Sequence, residues 1–218
     1  MTQEDEWKAN ARRLVFTGRQ GRIKAASARS LSTYLTKNEG QYFEKLYDSA
    51  SPNEFTAGDL LAVTALSVVV PASTSSWLLS PEGRTDTRRL LKPIIPTWSI
   101  ETLNQNQFVQ RLGEKSNAWR LWVLLLKQRG IGSTIAGKLL AAKRPLLIPI
   151  SDAYVKDTLV TSERDIWRCM WTILGDEELR NGLSEIRHAV PAAANLSLLR
   201  VLDIIAWSHG RQVHSRGY

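Results

Sequence analysis

Residues 129–152 read RGIGSTIAGKLLAAKRPLLIPISD. The organisation of the chain turns on how this stretch is read. Gly130, Ile131 and Gly132 separate two apolar runs of helical period. Upstream, SNAWRLWVLLLKQRG (116–130) starts at a serine and stops at a glycine. Downstream, STIAGKLLAAKRP (133–145) starts at a serine and stops at a proline. These are ordinary helix start and stop signals, so a short turn joining two helices is expected, with Ser133 capping the second. Glycine permits positive φ and close backbone approach, and Ile131 can anchor the turn in a core. The amides of Gly132, Ser133 and Thr134 are then left at a helix N-terminus. Such an end carries roughly +0.5 of a charge and several free donors, which suits a phosphate. Contacts of this kind hold a nucleic-acid backbone without reading its sequence.

The same periodicity recurs along the chain. AGDLLAVTALSVVV (57–70) follows Thr56, with Asp59 at the third place, a capping-box pattern ended by Pro71. SERDIWRCMWTILG (162–175) repeats the device with Ser162 and Asp165. NLSLLRVLDIIAWSHG (195–210) is a long amphipathic segment expected to close at Gly210, beside His209. ASARSLSTYLTK (26–37) and EGQYFEKLYD (39–48) read as shorter helices. PLLIPIS (145–151) is bounded by prolines and reads as a buried connection rather than a ladder strand. The most linker-like stretch is STSSWLLSPEGRTDTRR (73–89). The fold class expected is all-α, a two-lobed helical bundle. Residues 1–50 are expected to be a basic helical segment, and 51–218 the main helical domain with its hairpin at 118–145.

Of the 218 residues 43% are hydrophobic, enough for a sizeable core, and 29 Lys and Arg against 21 Asp and Glu give a formal charge of +8. That balance favours a polyanionic partner. The charge is clustered: Lys8–Arg29 holds seven basic residues and no acidic one. Arg111–Arg144 holds eight basic residues against Glu114 alone, and this second run surrounds the Gly-Ile-Gly turn. A single cysteine, Cys169, excludes an internal disulfide and any four-cysteine zinc or iron–sulfur site. His188, His209 and His214 share no ligand spacing, so no metal is expected. No apolar run reaches transmembrane length and no secretory leader is evident. A cytoplasmic, nucleoid-associated protein is expected.

The turn and its sequel resemble the helix-hairpin-helix element of the DNA glycosylase superfamily typified by endonuclease III and the bacterial alkyladenine glycosylase. The residues that carry the likeness are Gly130, Ile131, Gly132, Ala136, Leu139, Leu140, Pro149 and Asp152, with Asp152 22 positions after Gly130. PISDAYVK (149–156) is similar to the segment bearing that superfamily's catalytic aspartate, VLDIIAWSHGRQ (201–212) to its last core helix, and FTAGDLLAVTALSV (55–68) to an early one. The likeness covers 116–160 and 185–212, is looser over 54–80, and is absent before 50. Members that also cleave the strand carry lysine two residues after the second glycine; Thr134 stands there. Gln128-Arg129 replaces a Leu-Pro pair, SVVVPAS (67–73) stands where a polar plug residue would, and iron–sulfur cysteines are missing.

The resemblance implies a monofunctional DNA glycosylase excising damaged or modified bases from duplex DNA, with Asp152 as the catalytic carboxylate. Breaking an N-glycosidic bond builds positive charge on the sugar, which a fixed carboxylate stabilises. Lys127, Arg129, Gly130, Ile131, Gly132, Ser133, Thr134 and Lys138 are the expected backbone-binding residues. Tyr154, Trp119 and Trp122 are candidates for a base pocket, while Trp167 and Trp171, one turn apart, read as core. The resemblance also implies a monovalent cation held by backbone carbonyls around Gln128 and Ile131. From the residues alone Asp152 can equally be a first-turn helix residue behind a Ser151 cap, which favours the helix dipole. Two alternatives therefore stand beside the enzyme: a non-catalytic helix-hairpin-helix DNA-binding protein, and a helical scaffold for a protein partner.

Overall fold

The structure is a computed structural model and describes residues 2–18 and 22–216. It is mostly helical, as expected. Among the described residues the strands are confined to a short antiparallel pair, β1 (Phe16–Thr17) and β2 (Arg22–Ile23), in which Phe16 faces Ile23. The chain divides into two compact units, one of residues 1–38 with 151–218 and one of residues 39–150. This division falls elsewhere than the boundary expected at residue 50, because the fold groups the two ends of the chain in one unit.

The unit formed by the chain ends contains α1 (Gln3–Val15), α2 (Ala25–Lys37), α10 (Ala153–Leu159), α11 (Ile166–Gly175), α12 (Glu177–His188) and α13 (Leu198–Arg216). Thr2 and Asp5 start α1 with a reciprocal capping box. α13 packs against α2, α10 and α12, and its residues 198–206 are buried on every side. Seven of these nine residues are apolar, which places the helix in the core, and Arg200 and Asp203 are buried with them. The expected stop at Gly210 does not occur, since α13 runs on to Arg216. Gly210 serves packing instead. A Cβ there would lie 2.6 Å from the Tyr154 carbonyl oxygen and 2.7 Å from Thr158 Oγ1, so only glycine lets α13 lie this close to α10. α10 ends in a left-handed Val160, and its last carbonyls accept from buried Asn10 and from Trp7 Nε1.

The middle unit contains α3 (Phe43–Leu46), α4 (Ala57–Ala65), α5 (Ala72–Leu79), α6 (Pro81–Leu91), α7 (Gln105–Leu112), α8 (Asn117–Leu126) and α9 (Ser133–Lys143). The linker-like residues 73–89 are thus two helices. Ser80 caps α6 by accepting from the Gly83 amide, and Pro81 fits the first helical position. The capping box of Thr56 and Asp59 starts α4 as its spacing predicts, and Ser116 caps α8 through the Trp119 amide. Ser162 also accepts from the Asp165 amide, although α11 itself begins one residue later. PLLIPIS forms no strand.

α9 is the centre of this unit, packed against α4 and α8. Every residue from Ala136 to Arg144 is buried. Three cations sit on this segment, and each is spent on structure. Lys138 Nζ donates to the Leu66 carbonyl at the end of α4 at 2.9 Å. Lys143 pairs with Asp59 and donates to the carbonyls of Asp48 and Ser51. The Arg144 guanidinium donates to the carbonyls of Ile94, Leu91, Pro52 and Lys143 and to Asn53 Oδ1, and burial pushes it down to about 10. Buried cations are tolerated only when their donors are satisfied in this way. The basic run around the turn is therefore thinner at the surface than its sequence reads.

Candidate nucleic-acid interface

In the middle unit α8 and α9 are joined by residues 127–132. The Gln128 amide donates to the Leu125 carbonyl at 2.9 Å, and the Ile131 amide to the Gln128 carbonyl at 3.2 Å. Gly130 makes the turn with φ +76°, the left-handed region that glycine enters without strain. It is also crowded, since a Cβ would sit 2.9 Å from Pro71 Cγ at the start of α5. Thr74, on α5, donates to the Arg129 carbonyl at 3.1 Å. Ile131 is buried and anchors the turn. The position of the turn is thus fixed from both sides.

Gly132 is different. It is exposed and occupies the N-cap of α9 at φ −92°, a conformation open to any residue. A Cβ on it would meet nothing within 4 Å. No side chain caps the helix start. Ser133, expected as the cap, is the first helical residue. Neither backbone strain nor packing explains this glycine. What it leaves is a row of amides at exposed Gly132 and half-buried Ser133 and Thr134 with no side-chain cap from the N-cap residue, the positive end of an 11-residue helix.

Of the expected backbone-binding side chains, Lys127 and Arg129 are exposed beside the turn. Lys138 is not at the surface: it is 2% exposed, turned toward the end of α4. Exposed cations that sequence reading passed over stand on α6 and at its C-cap in the same unit. Arg84, Arg88, Arg89 and Lys92 line a hollow of about 730 Å³, with Glu54 paired to Arg88 at 2.8 Å. The four-residue spacing of Arg84, Arg88 and Lys92 was visible in the sequence, and the linker reading of 73–89 hid it. Trp119 and Trp122 lie half-buried on α8, their rings 5.0 Å apart and tilted by 44°.

Asp152 and Tyr154 belong to the other unit. Asp152 is the N-cap of α10, accepting from the Tyr154 amide at 3.1 Å. The cap is thus Asp152 itself rather than Ser151. Ser151 is buried and donates instead to Glu163 Oε1 at 3.1 Å, and Lys156 pairs with the same carboxylate. This Ser151–Glu163–Lys156 cluster had no sequence signal, because Glu163 is brought in by the turn before α11. Tyr154 stacks edge-on against Trp207 and His214, with centroids 6.2 and 5.1 Å away.

Residues 27–210 match DUF6308, a family of unknown function. The chain belongs to this family. No curated protein and no solved structure gives a match. The DUF6308 match takes in α2 from its third residue, the α8–α9 turn and Asp152, and leaves α1 and the β pair outside it. Among the described residues of this family member, no group of three or more His, Cys, Asp or Glu side chains is placed to hold a metal ion. No helix among them is long and apolar enough to cross a membrane.

Proposed function

We propose that this protein binds duplex DNA through a helix-hairpin-helix formed by α8, the 127–132 turn and α9, and acts on it as a monofunctional DNA N-glycosylase. The observation that carries the binding reading is Gly132. It is an exposed N-cap glycine that the fold does not require, at an uncapped helix start flanked by Lys127 and Arg129. A phosphate oxygen approaching those amides needs the space that a side chain would fill. The basic face of α6 adds charge on the same unit.

In the catalytic part, Asp152 is the carboxylate that stabilises positive charge on the sugar as the glycosidic bond breaks. Water supplies the new hydroxyl, and the target nucleotide must leave the duplex stack, at a cost of a few kcal/mol. Schiff-base chemistry is not part of this reading. Thr134 has no amine, and the Lys138 amine one turn further on is buried against the Leu66 carbonyl. A monovalent cation would be held by the carbonyls of Gln128 and Ile131. The former already accepts the Ile131 amide and would use its remaining lone pair, and no step depends on the ion.

A second reading, DNA binding without excision, is favoured by one observation: the Asp152 carboxylate serves as the N-cap of α10. The experiment that separates the readings is a salt titration of duplex binding joined to an excision assay on damaged duplexes. Replacing Lys127 and Arg129 together by alanine lowers the slope of log affinity against log salt by about 2, since each phosphate contact contributes roughly 0.9. Wild-type binding that is absent at low salt, or insensitive to salt, overturns the DNA reading. Binding without excision on any damaged duplex leaves the second one.

A further inference from the structure

We infer that the groove between α2 and α13, in the unit formed by the chain ends, binds a short single-stranded segment of nucleic acid. The groove has a volume of about 700 Å³, and none of the described residues that line it is acidic. Two rows of side chains, each at four-residue spacing, form its walls. Arg29, Thr33 and Lys37 stand on α2, and Trp207, Arg211 and Ser215 on α13. Residues four apart share a helix face. Each row spans about 12 Å at the helical rise of roughly 1.5 Å per residue. That length accommodates more than one phosphate of an extended strand.

The order of groups along the groove matches such a ligand. The helices run antiparallel, since Gln212 donates to Ser30 Oγ at 3.4 Å while the Tyr34 ring meets Trp207 at 5.4 Å. Ser215 therefore marks one end, Arg29 and Arg211 come next, then the Tyr34–Trp207 pair, and Lys37 the other end. Cations flank a ring that is itself held in place. Tyr34 is buried, its hydroxyl accepts from the buried Arg200 at 3.1 Å, and it meets the half-exposed Trp207 edge-on. The Arg211 guanidinium lies 5.2 Å from the Trp207 ring centre. Indole and guanidinium planes are both surfaces on which an unpaired base stacks. A charged groove that tracks phosphates beside an aromatic platform is how proteins hold single strands without reading sequence. A paired duplex offers no free base face to such a platform.

The residues involved are separate from the α8–α9 turn, so the inference stands or falls without the duplex reading. The full chain is titrated at low salt with fluorescently labelled oligothymidylate, with a blunt duplex, and with thymidine monophosphate as competitor. Arg29→Glu combined with Arg211→Glu is expected to weaken single-strand affinity about tenfold or more, through lost phosphate contacts, and to leave duplex affinity within about twofold. Lys127→Ala combined with Arg129→Ala is expected to do the reverse. If the double reversal does not fold, Lys37→Glu, exposed in the last turn of α2, must weaken single-strand binding in the same direction. The inference is overturned if groove variants leave single-strand affinity unchanged, if no single-strand binding is seen at low salt, or if thymidine monophosphate competes as well as the oligonucleotide. Loss of duplex binding by the wild type, with single-strand binding kept, removes the hairpin reading and leaves this one standing.

Discussion

The ammonium of Lys143 lies 2.5 Å from a carboxylate oxygen of Asp59, and both side chains are wholly shielded from solvent. The pair ties the last turn of α9 to the first turn of α4. Asp59 also accepts from the amides of Thr56 and Asp48, so it closes the capping box of α4 and a neighbouring loop. Burial pushes the Asp59 carboxyl above the ordinary aspartate range, against the pull of Lys143. Removing one partner of such a pair strands the other charge. Lys143→Met is expected to cost about 3–5 kcal/mol of stability, measured by urea unfolding. Adding Asp59→Asn to that variant is expected to recover part of the loss, because no charge is then orphaned. Equal stabilities for Lys143→Met and wild type would refute the role given to the pair.

The two glycines of the α8–α9 turn are expected to separate stability from binding. Gly130→Ala places a Cβ in a left-handed conformation and against Pro71, so it destabilises by about 1–3 kcal/mol. Gly132→Asp meets open space at an allowed φ. Its carboxylate caps α9 and interacts well with the helix dipole, so stability holds or rises by a few tenths of a kcal/mol. The same carboxylate occupies and repels the proposed phosphate position, and duplex affinity drops. Thermal melts and anisotropy titrations on the two variants check this. A Gly132→Asp protein that binds duplex as tightly as wild type removes the proposed contact.

Asp152 has a structural duty that two substitutions distinguish from a chemical one. Asparagine caps a helix about as well as aspartate, whereas alanine costs about 1 kcal/mol. Asp152→Asn is therefore expected to melt like wild type, and Asp152→Ala to melt lower. If Asp152 is the catalytic carboxylate, Asp152→Asn loses excision by about a hundredfold or more, each 1.36 kcal/mol of lost transition-state stabilisation being about tenfold in rate. Abasic strands should appear only after alkali, with no borohydride-trapped adduct. Excision at the wild-type rate by Asp152→Asn would rule out the chemical role.

Cys169 is buried on α11, and burial pushes its thiol up from 9.0 to about 12. The thiolate is the reactive form, so iodoacetamide at pH 8 is expected to label the unfolded chain and spare the folded one. The folded pKa lies above the unfolded one. Between those values the folded state keeps a proton that the unfolded state releases. Stability from this group therefore falls as pH rises from about 9 towards about 12, and is unaffected below that window. Cys169→Ala should show a shallower alkaline decline than wild type in parallel unfolding curves. Rapid labelling of the native protein would contradict the burial.

The sequence by itself determined the helical class and much of the punctuation. Capping boxes and serine caps act through hydrogen bonds three residues away, and the glycine of the α8–α9 turn through its own positive φ, so Thr56 with Asp59, Ser116 and Gly130 are legible without a fold. Tertiary structure decided where charges go. Lys138, Lys143 and Arg144 read as part of a basic face, yet they are held by the Asp59 carboxylate and by carbonyls at positions 48–66 and 91–94, supplied by elements remote in sequence. The same limit made Gly210 look like a helix stop, because the Tyr154 carbonyl that excludes a side chain there comes from α10. It also left Arg29 and Arg211, 182 positions apart, to be brought onto one groove only by the packing of α2 on α13. Local signals are set by the backbone's own short-range bonding; burial and the pairing of distant side chains are set by which helices pack together.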